Sequence, residues 1–169
     1  MKKLLFASLC AASLSGPALA QNATASFIDA TGKSIGSATL THTPNGVLIA
    51  LDVRDLPPGE HAFHVHQKGV CDPAAKFTSA GGHFEPAGKK HGYMTEGGPH
   101  SGDMPNQFVG KDGSLRANVL NVAVTLGGGA NSLFGSDGTA LVIHAKADDY
   151  KSQPAGDAGD RIACAVIKK

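Results

Sequence analysis

Hydrophobic and polar residues alternate along several stretches of this chain with the period of two that β-strands require. In the clearest stretch, 47–53, every second residue is a branched apolar side chain: Val47, Ile49, Leu51 and Val53. Because successive side chains of a strand point to opposite faces, this stretch is predicted to be a strand with one face in the core. Shorter alternating runs over 23–43, separated by turn residues such as those at 31–33, predict further strands.

Short apolar runs bounded by turn residues predict the remaining strands, at 61–66, 107–110, 115–124, 141–145 and 161–167. After the first twenty residues no helical stripe is convincing. About eight short strands in one chain predict an all-β sandwich or barrel. Two connections, 69–106 and 146–160, are too long for hairpins and show little hydrophobic periodicity. Loops of that length are usually functional or disordered, so we expect two long functional loops.

The first twenty residues have the pattern of a secretory signal. Two lysines precede an apolar run over 4–14 that is too short to span a bilayer, and small residues at 18–20 suit a cleavage site. We therefore predict a cleaved signal peptide over 1–20 and a single domain over 21–169. The exported protein is expected to be periplasmic or secreted.

Composition and charge exclude two classes of partner. The formal net charge is only +1, no run of lysine and arginine marks a phosphate-binding face, and tryptophan is absent. We therefore expect no nucleic acid partner. No stretch reaches the roughly 18 continuous apolar residues of a transmembrane helix, so no membrane span is expected.

Three cysteines occur in the chain, and Cys10 lies within the predicted signal. A lipoprotein would carry its lipid on Cys10, but Leu9 occupies the preceding position, where a small residue is expected. Cys71 and Cys164 remain, and in an oxidising compartment they favour one disulfide. Its long loop would contribute about 4 to 5 kcal/mol in the chain-entropy model. Thiolate metal ligation is the weaker alternative, because neither residue has a nearby Cys-x-x-Cys partner.

Candidate metal ligands are gathered at predicted strand ends and in the glycine-rich first loop: His64, His66, His83, His91, His100, Asp103 and His144. His64 and His66 share one face of a strand, so they can chelate one ion. Two imidazoles with a carboxylate need one more imidazole to complete the shell that zinc favours, and four imidazoles suit copper. His42 and His61 are assigned to ordinary surface or strand-end positions.

Several motifs follow one another in a specific order: Phe63-His64-Val65-His66, Gly81-Gly82-His83-Phe84, His100-Ser101-Gly102-Asp103-Met104-Pro105, Leu141-Val142-Ile143-His144 and Gly159-Asp160-Arg161-Ile162-Ala163-Cys164. Together they make the chain resemble an exported bacterial copper,zinc superoxide dismutase over nearly all of 21–169. The resemblance implies an eight-stranded Greek-key β-barrel with a disulfide between Cys71 and Cys164.

The same resemblance implies the roles of the candidate ligands. The implied copper ligands are His64, His66, His83 and His144. The implied zinc ligands are His83, His91, His100 and Asp103. His83 thus bridges the two metals, which requires the loss of both ring protons. Asp148 matches the acid that links a copper-bound and a zinc-bound histidine in the family, and such a carboxylate fixes ring orientation.

The activity implied by the resemblance is dismutation of superoxide to oxygen and hydrogen peroxide, as an antioxidant defence outside the cytoplasm. Copper cycles between two oxidation states, while zinc has no accessible redox change. His83 is expected to take up and return a proton, and Arg161 to attract the small anion. Superoxide is therefore the expected small-molecule partner, and the family also allows a homodimer.

Two other functions are compatible with parts of the pattern. A non-enzymatic copper- or zinc-binding module could keep the barrel, but such relatives commonly lack part of the ligand set or the arginine. A structural β-domain that is merely rich in histidine would leave the ligand spacing unexplained. The complete set of ligands together with Arg161 favours the enzyme.

Overall fold

A computed structural model describes residues 22–169, so the predicted signal peptide, 1–20, lies outside the described residues. Within the described part the strands are β1 Asn22–Asp29, β2 Ser34–Thr43, β3 Gly46–Val53, β4 Gly59–His61, β5 Phe63–His66, β6 Gln107–Val109, β7 Leu115–Asn121, β8 Ala140–His144 and β9 Arg161–Lys168. The one short 3-10 helix described is Thr78–Ala80. The predicted all-β class is confirmed.

The strands form two antiparallel sheets that close on each other. The larger sheet has the order β5-β8-β9-β1-β2-β3-β7, and the smaller consists of β4 and β6. Only Ala62 separates β4 from β5, so one continuous segment crosses from the small sheet to the large one. The turn between β6 and β7, where Gly110 N donates to Ser114 O at 2.8 Å, joins the sheets on the opposite side. The result is the predicted Greek-key barrel.

The predicted strand at 61–66 is divided in the structure, which is why residues 22–169 contain nine strands rather than the expected eight. Its first part, β4, pairs with β6, whereas β5 pairs with β8. Ala62, at the division, bonds to the end of β8 and to the chain just after it: its C=O accepts from His144 N, and its N–H donates to Lys146 O. The histidine segment is therefore held at both ends.

Alternation predicted the core face of β3 correctly. Val47, Ile49, Leu51 and Val53 are buried, while Leu48, Ala50 and Asp52 between them are exposed. In β8 every residue is buried, because a second apolar cluster covers its other face. That cluster contains Phe77, Ala80, Ala140, Val142 and Cys164. Burial on both faces explains why β8 reads as a continuous apolar run without alternation.

Two strands differ slightly from their predicted bounds. The strand predicted at 115–124 ends at Asn121, because Asn121 Oδ1 accepts from Ala123 N at 2.9 Å and turns the chain away from the ladder. Val122 is consequently exposed. The strand predicted at 141–145 runs from Ala140 to His144, so His144 is its last residue.

The two long loops are present as predicted, and a disulfide restrains the first. Cys71, in the loop after β5, is bonded to Cys164 of β9, with 5.7 Å between their Cα atoms. This pairing confirms the disulfide and excludes both thiolates as metal ligands. Among residues 22–169 there is no helix with the length and hydrophobicity that crossing a membrane would require.

Candidate metal centre

Seven side chains from two strands and one loop converge into two groups that share one residue. The first group is His64, His66, His83 and His144, and the second is His83, His91, His100 and Asp103. Within each group the potential ligand atoms all lie within 4.8 Å of one another. The structure therefore brings together all seven candidate ligands predicted from the sequence.

Strand pairing supplies three members of the first group. His64 and His66 lie on β5, opposite Val142 and Ala140 of the neighbouring β8. His144 ends β8, beyond those two positions. His64 and His66 alternate with Phe63 and Val65, which pack in the main core, so the imidazoles lie on the opposite face of the sheet, where the ring of His144 is 4.9 Å from that of His64 between centroids.

The first loop brings the shared histidine and the aspartate to the edge of β5. Phe84 N donates to Val65 O, and Val65 N donates to Gly102 O, at 2.8 and 2.9 Å. A β-carbon at position 102 would overlap Val65 O, so only glycine permits this approach. As a result, His83 pairs with His66 and Asp103 pairs with His64, each through an isolated antiparallel β-bridge.

Hydrogen bonds fix the tautomers of two rings in the first group. His66 Nδ1 lies 2.9 Å from Gly81 O, and His144 Nδ1 lies 3.4 Å from Gly159 O. Because a carbonyl oxygen only accepts, both Nδ1 atoms donate and both Nε2 atoms carry lone pairs. Burial keeps the rings neutral, lowering the pKa of His66 well below 6.5 and that of His144 to about 2. Their Nε2 atoms nevertheless face each other at 3.3 Å.

The other two rings of the first group each have a buried nitrogen without a partner. His64 Nε2 donates to Asp148 Oδ2 at 2.9 Å, which leaves His64 Nδ1 as a lone pair. His64 Nδ1 and His83 Nε2 have no hydrogen-bond partner among the described residues. Buried ring nitrogens normally have a hydrogen-bond partner, so these two nitrogens, together with the facing lone pairs of His66 and His144, indicate a binding site for a cation. A four-imidazole donor set fits copper.

The second group is arranged around one carboxylate oxygen. Asp103 Oδ1 lies 2.8 Å from His83 Nδ1, 3.0 Å from His91 Nδ1 and 3.5 Å from His100 Nδ1. Asp103 Oδ2 accepts from the backbone N–H groups of Gly92 and His100, which orients the carboxylate. Burial acts to raise the pKa of Asp103, but the bonds from His83 and His91 outweigh it and hold the pKa far below 3.8. Three imidazoles and a carboxylate fit zinc.

Asp148, from the second loop, joins the two groups. Its Oδ2 accepts from His64 Nε2 at 2.9 Å, and its Oδ1 lies 3.0 Å from His91 Nε2. Burial opposes ionisation of this carboxyl, but the bonds from His64 and His91 prevail and lower its pKa. The position is the one expected from the sequence for an acid that orients one ring of each group.

Arg161 is held rigidly beside the first group. Its Nη1 donates to Phe77 O and its Nη2 to Gly81 O, both at 2.7 Å. Arg161 and His144 line the same cleft of about 400 Å³, whose remaining wall is part of the second loop, 152–159. A fixed guanidinium at such an opening attracts a small anion.

His61 is at a strand end, one of the two ordinary positions that the sequence predicts for it, but it is not at the surface. It ends β4, but it is buried, with only 3% of its surface exposed. Its Nδ1 lies 2.8 Å from His144 O and its Nε2 2.8 Å from Pro57 O. His61 therefore ties the backbone of a candidate ligand to the turn before β4. The alternation of side chains along a strand places His61 on the opposite face from His64. It cannot show that the ring nitrogens of His61 bond to backbone carbonyls. His42 is exposed, as predicted.

The metal-free protein is expected to be most stable near pH 6.5 and to lose stability toward acid pH. Burial lowers the pKa of His83 from 6.5 to about 4, so between those values the unfolded chain binds a proton that the folded chain does not. His83 alone should lower the free energy of unfolding by about 3 kcal/mol between pH 6.5 and pH 4. His91 has the opposite effect, because its pKa is raised and its contribution to stability therefore falls as the pH rises. Burial there is outweighed by bonds to Asp103 and Asp148 that raise its pKa to about 9, so its contribution is lost between pH 6.5 and 9.

Urea unfolding of the metal-free protein at a series of pH values would measure this profile. The exposed residue His42 provides a matched control, because His42→Gln should leave the profile unchanged, whereas His83→Gln should reduce the loss on the acid side. A free energy of unfolding that stays constant between pH 6.5 and 4 would contradict the prediction.

Comparison with known proteins gives one consistent result. The family model described as copper/zinc superoxide dismutase (SODC) matches residues 34–167. The Cu-Zn superoxide dismutase 2 of Aquifex aeolicus (strain VF5) is 55% identical over 146 residues, 85% of this chain and 85% of that protein. A SOD-like protein from Bacillus subtilis superposes with a TM-score of 0.80 at 35% identity, covering 84% of this chain and 95% of that one. The Cu/Zn superoxide dismutase from Brucella abortus gives a TM-score of 0.72 at 28% identity, covering 88% and 100%.

Proposed function

The chain belongs to the copper/zinc superoxide dismutase family, and from that premise we propose which of its residues carry the reaction. The activity is dismutation of superoxide to oxygen and hydrogen peroxide, and the cofactors are copper and zinc. What remains to be assigned is the role of each side chain.

Copper is assigned to the four-imidazole group and zinc to the group around Asp103. The observation that carries this assignment is a pair of buried nitrogens, His64 Nδ1 and His83 Nε2, that have no hydrogen-bond partner in the described part of the chain and belong to the four-imidazole group. When bound, copper supplies the one-electron redox change that dismutation needs, whereas zinc, which has none, orders the first loop.

His83 is assigned the proton transfer. Its Nδ1 faces Asp103 in the zinc group, while its Nε2 faces the copper group and has no hydrogen-bond partner within 22–169. Nε2 is therefore the atom at which a proton can be held and then given to the forming peroxide. Asp103 fixes the ring through Nδ1, so the proton is delivered without reorientation of the imidazole.

Arg161 is assigned the attraction and orientation of superoxide. Two backbone carbonyls, those of Phe77 and Gly81, hold the guanidinium in place beside His144. Because its position is fixed before the anion arrives, the charge does not have to be ordered at each encounter.

Rapid mixing of superoxide with the protein tests the activity. Protein loaded with copper and zinc should accelerate superoxide decay, whereas the metal-free protein should not. If the loaded protein binds both metals and decay remains at the metal-free rate, dismutation is wrong and a metal-carrying role replaces it.

Replacing Arg161 by glutamine is expected to lower the second-order rate of superoxide decay about tenfold and to weaken its dependence on salt. All four proposed copper ligands are unchanged in this variant, so copper should stay bound and the loss lies in capture of the anion. Stopped-flow rates measured at several ionic strengths would check both effects.

Arg116 provides the matched control for this variant. It is an exposed arginine of β7 whose Nε lies 3.4 Å from Asp52 Oδ1, and neither residue belongs to a ligand group. Arg116→Gln removes the same charge and should leave the rate within about twofold of wild type. Equal losses in the two variants would attribute the effect to net charge and refute the specific role of Arg161.

Export is proposed on two observations. The segment 1–20 has the pattern of a cleaved signal, and the disulfide between Cys71 and Cys164 suits an oxidising compartment such as the periplasm or the exterior. Cell fractionation with mass determination of the mature chain would test this, since cleavage should leave a domain that begins at Gln21. A homodimer stays a prediction, which sedimentation of the loaded protein would check.

A further inference from the structure

Two side-chain amides form hydrogen bonds to the backbone of residues in the candidate zinc region. The ligand set alone does not predict either amide. The first is Gln153, in the second loop. Its Oε1 accepts from His91 N at 3.0 Å, while its Nε2 donates to His91 O at 2.8 Å and to Lys151 O at 3.0 Å. The amide thus satisfies both polar groups of the His91 backbone, as a neighbouring strand would.

The second amide is Asn106, at the end of the first loop. Its Oδ1 accepts from Asp148 N at 2.8 Å, and its Nδ2 donates to Asp148 O at 3.0 Å and to Glu60 Oε1 at 3.1 Å. Asn106 therefore binds the Asp148 backbone as Gln153 binds the His91 backbone. Each loop contributes one amide that holds a residue of the other loop.

The two residues whose backbones the amides bind, His91 and Asp148, are also in contact with each other, and this contact links the two loops. His91 Nε2 lies 3.0 Å from Asp148 Oδ1, and His91 has no exposed surface. The backbone of Gly156 approaches this link closely, since a β-carbon at Gly156 would overlap Asp148 Oδ1. Both ends of the His91–Asp148 link are therefore fixed through their backbones.

We infer that Asn106 and Gln153 are positioning residues that jointly hold His91 for zinc by fixing the backbones at both ends of the His91–Asp148 link. This inference rests on the proposed zinc site. His91 lies on a loop without a strand ladder, so its backbone depends on such contacts. Three of the four proposed copper ligands lie instead on β5 and β8. The amides should therefore affect zinc affinity selectively.

The test is competition for zinc and, separately, for copper between a chelator and the full-length mature protein. Gln153→Ala and Asn106→Ala should each lower zinc affinity about tenfold, the lower end of the range for residues that orient ligands. Copper affinity should fall less than zinc affinity, because His64, the one proposed copper ligand that Asp148 contacts, is also held by β5. The double variant should lose less than the product of the single losses, since both amides hold one link.

Asn131 provides a matched control. It is an amide whose Nδ2 donates to a backbone carbonyl, Ala123 O, in the connection between β7 and β8, which contributes no candidate ligand. Asn131→Ala should leave zinc affinity unchanged. If an alanine variant does not fold, Gln153→Glu and Asn106→Asp keep the side-chain size and replace the donating NH₂ by an oxygen that faces carbonyl oxygens. Zinc affinity should still fall, although the added negative charge alone would favour the cation.

Two outcomes overturn the inference. One is wild-type zinc affinity in folded Gln153 and Asn106 variants, and the other is equal loss of zinc and copper, which would indicate general destabilisation. His100→Ala in the same assay separates this failure from failure of the zinc site. If His100→Ala loses zinc while the amide variants do not, only the inference fails. If His100→Ala keeps wild-type zinc affinity, the proposed zinc site itself is wrong.

Discussion

Replacing His64 by alanine is expected to reduce superoxide decay by the copper- and zinc-loaded protein to the rate of the metal-free protein. His64 contributes one of the two orphaned nitrogens of the four-imidazole group, and its ring lies only 4.0 Å, between centroids, from that of His83. Without His64 Nδ1, copper would lose one of its four proposed ligands. The lost ligand is the one beside His83, which is proposed to transfer the proton. The same change removes the donor to Asp148 Oδ2, and a buried acceptor left unpaired costs about 1 to 3 kcal/mol.

Metal analysis together with rapid-mixing rates would check this expectation. His42→Ala is the control, because His42 is an exposed histidine outside both ligand groups and should keep full activity. The His64 variant must also be shown to retain the fold, for example by its sheet content and its disulfide. If folded His64→Ala protein accelerates superoxide decay as wild type does, His64 is not a copper ligand. The assignment of copper to the four-imidazole group would then fail.

The sequence predicted most of the fold because the strands carry a local signal. Alternation in β3 identified its buried face, since one side of that strand packs in the core and the other meets solvent. Local patterns could not show that the segment around Ala62 leaves one sheet and enters another, because that division depends on pairing with β6 and β8, which are distant in sequence. The end of β7 was also missed, since it depends on one side-chain bond of Asn121.

The candidate metal centre divides in the same way between local and distant information. Ligand residue types and motif order predicted the seven side chains that the structure brings together. His61, Asn106 and Gln153 escaped prediction because each acts on the backbone of a residue far along the chain, and any backbone presents the same N–H and C=O groups. Contacts to backbone leave no pattern in residue type, so only the folded structure reveals them.

Removing the disulfide by the double change Cys71→Ser and Cys164→Ala is expected to lower the free energy of unfolding by about 4 to 5 kcal/mol. The bond closes a loop with a sequence separation of 93, and it ties the first loop to β9. Alanine is chosen at position 164 because Cys164 is fully buried, and a hydroxyl there would add a separate cost. Denaturant unfolding of the metal-free protein would measure the difference.

The same variant should lose activity before it loses its fold. The disulfide lies beside Phe77, whose carbonyl accepts from Arg161 Nη1, and Phe77 packs with Cys164 in the second apolar cluster. Loosening the segment between Cys71 and Gly81 therefore frees the guanidinium that is proposed to capture superoxide. Reduction of wild-type protein by a thiol should reproduce both losses, since it breaks the same bond without changing a side chain. If the double variant unfolds within about 1 kcal/mol of wild type, the loop is held by its packing rather than by the disulfide.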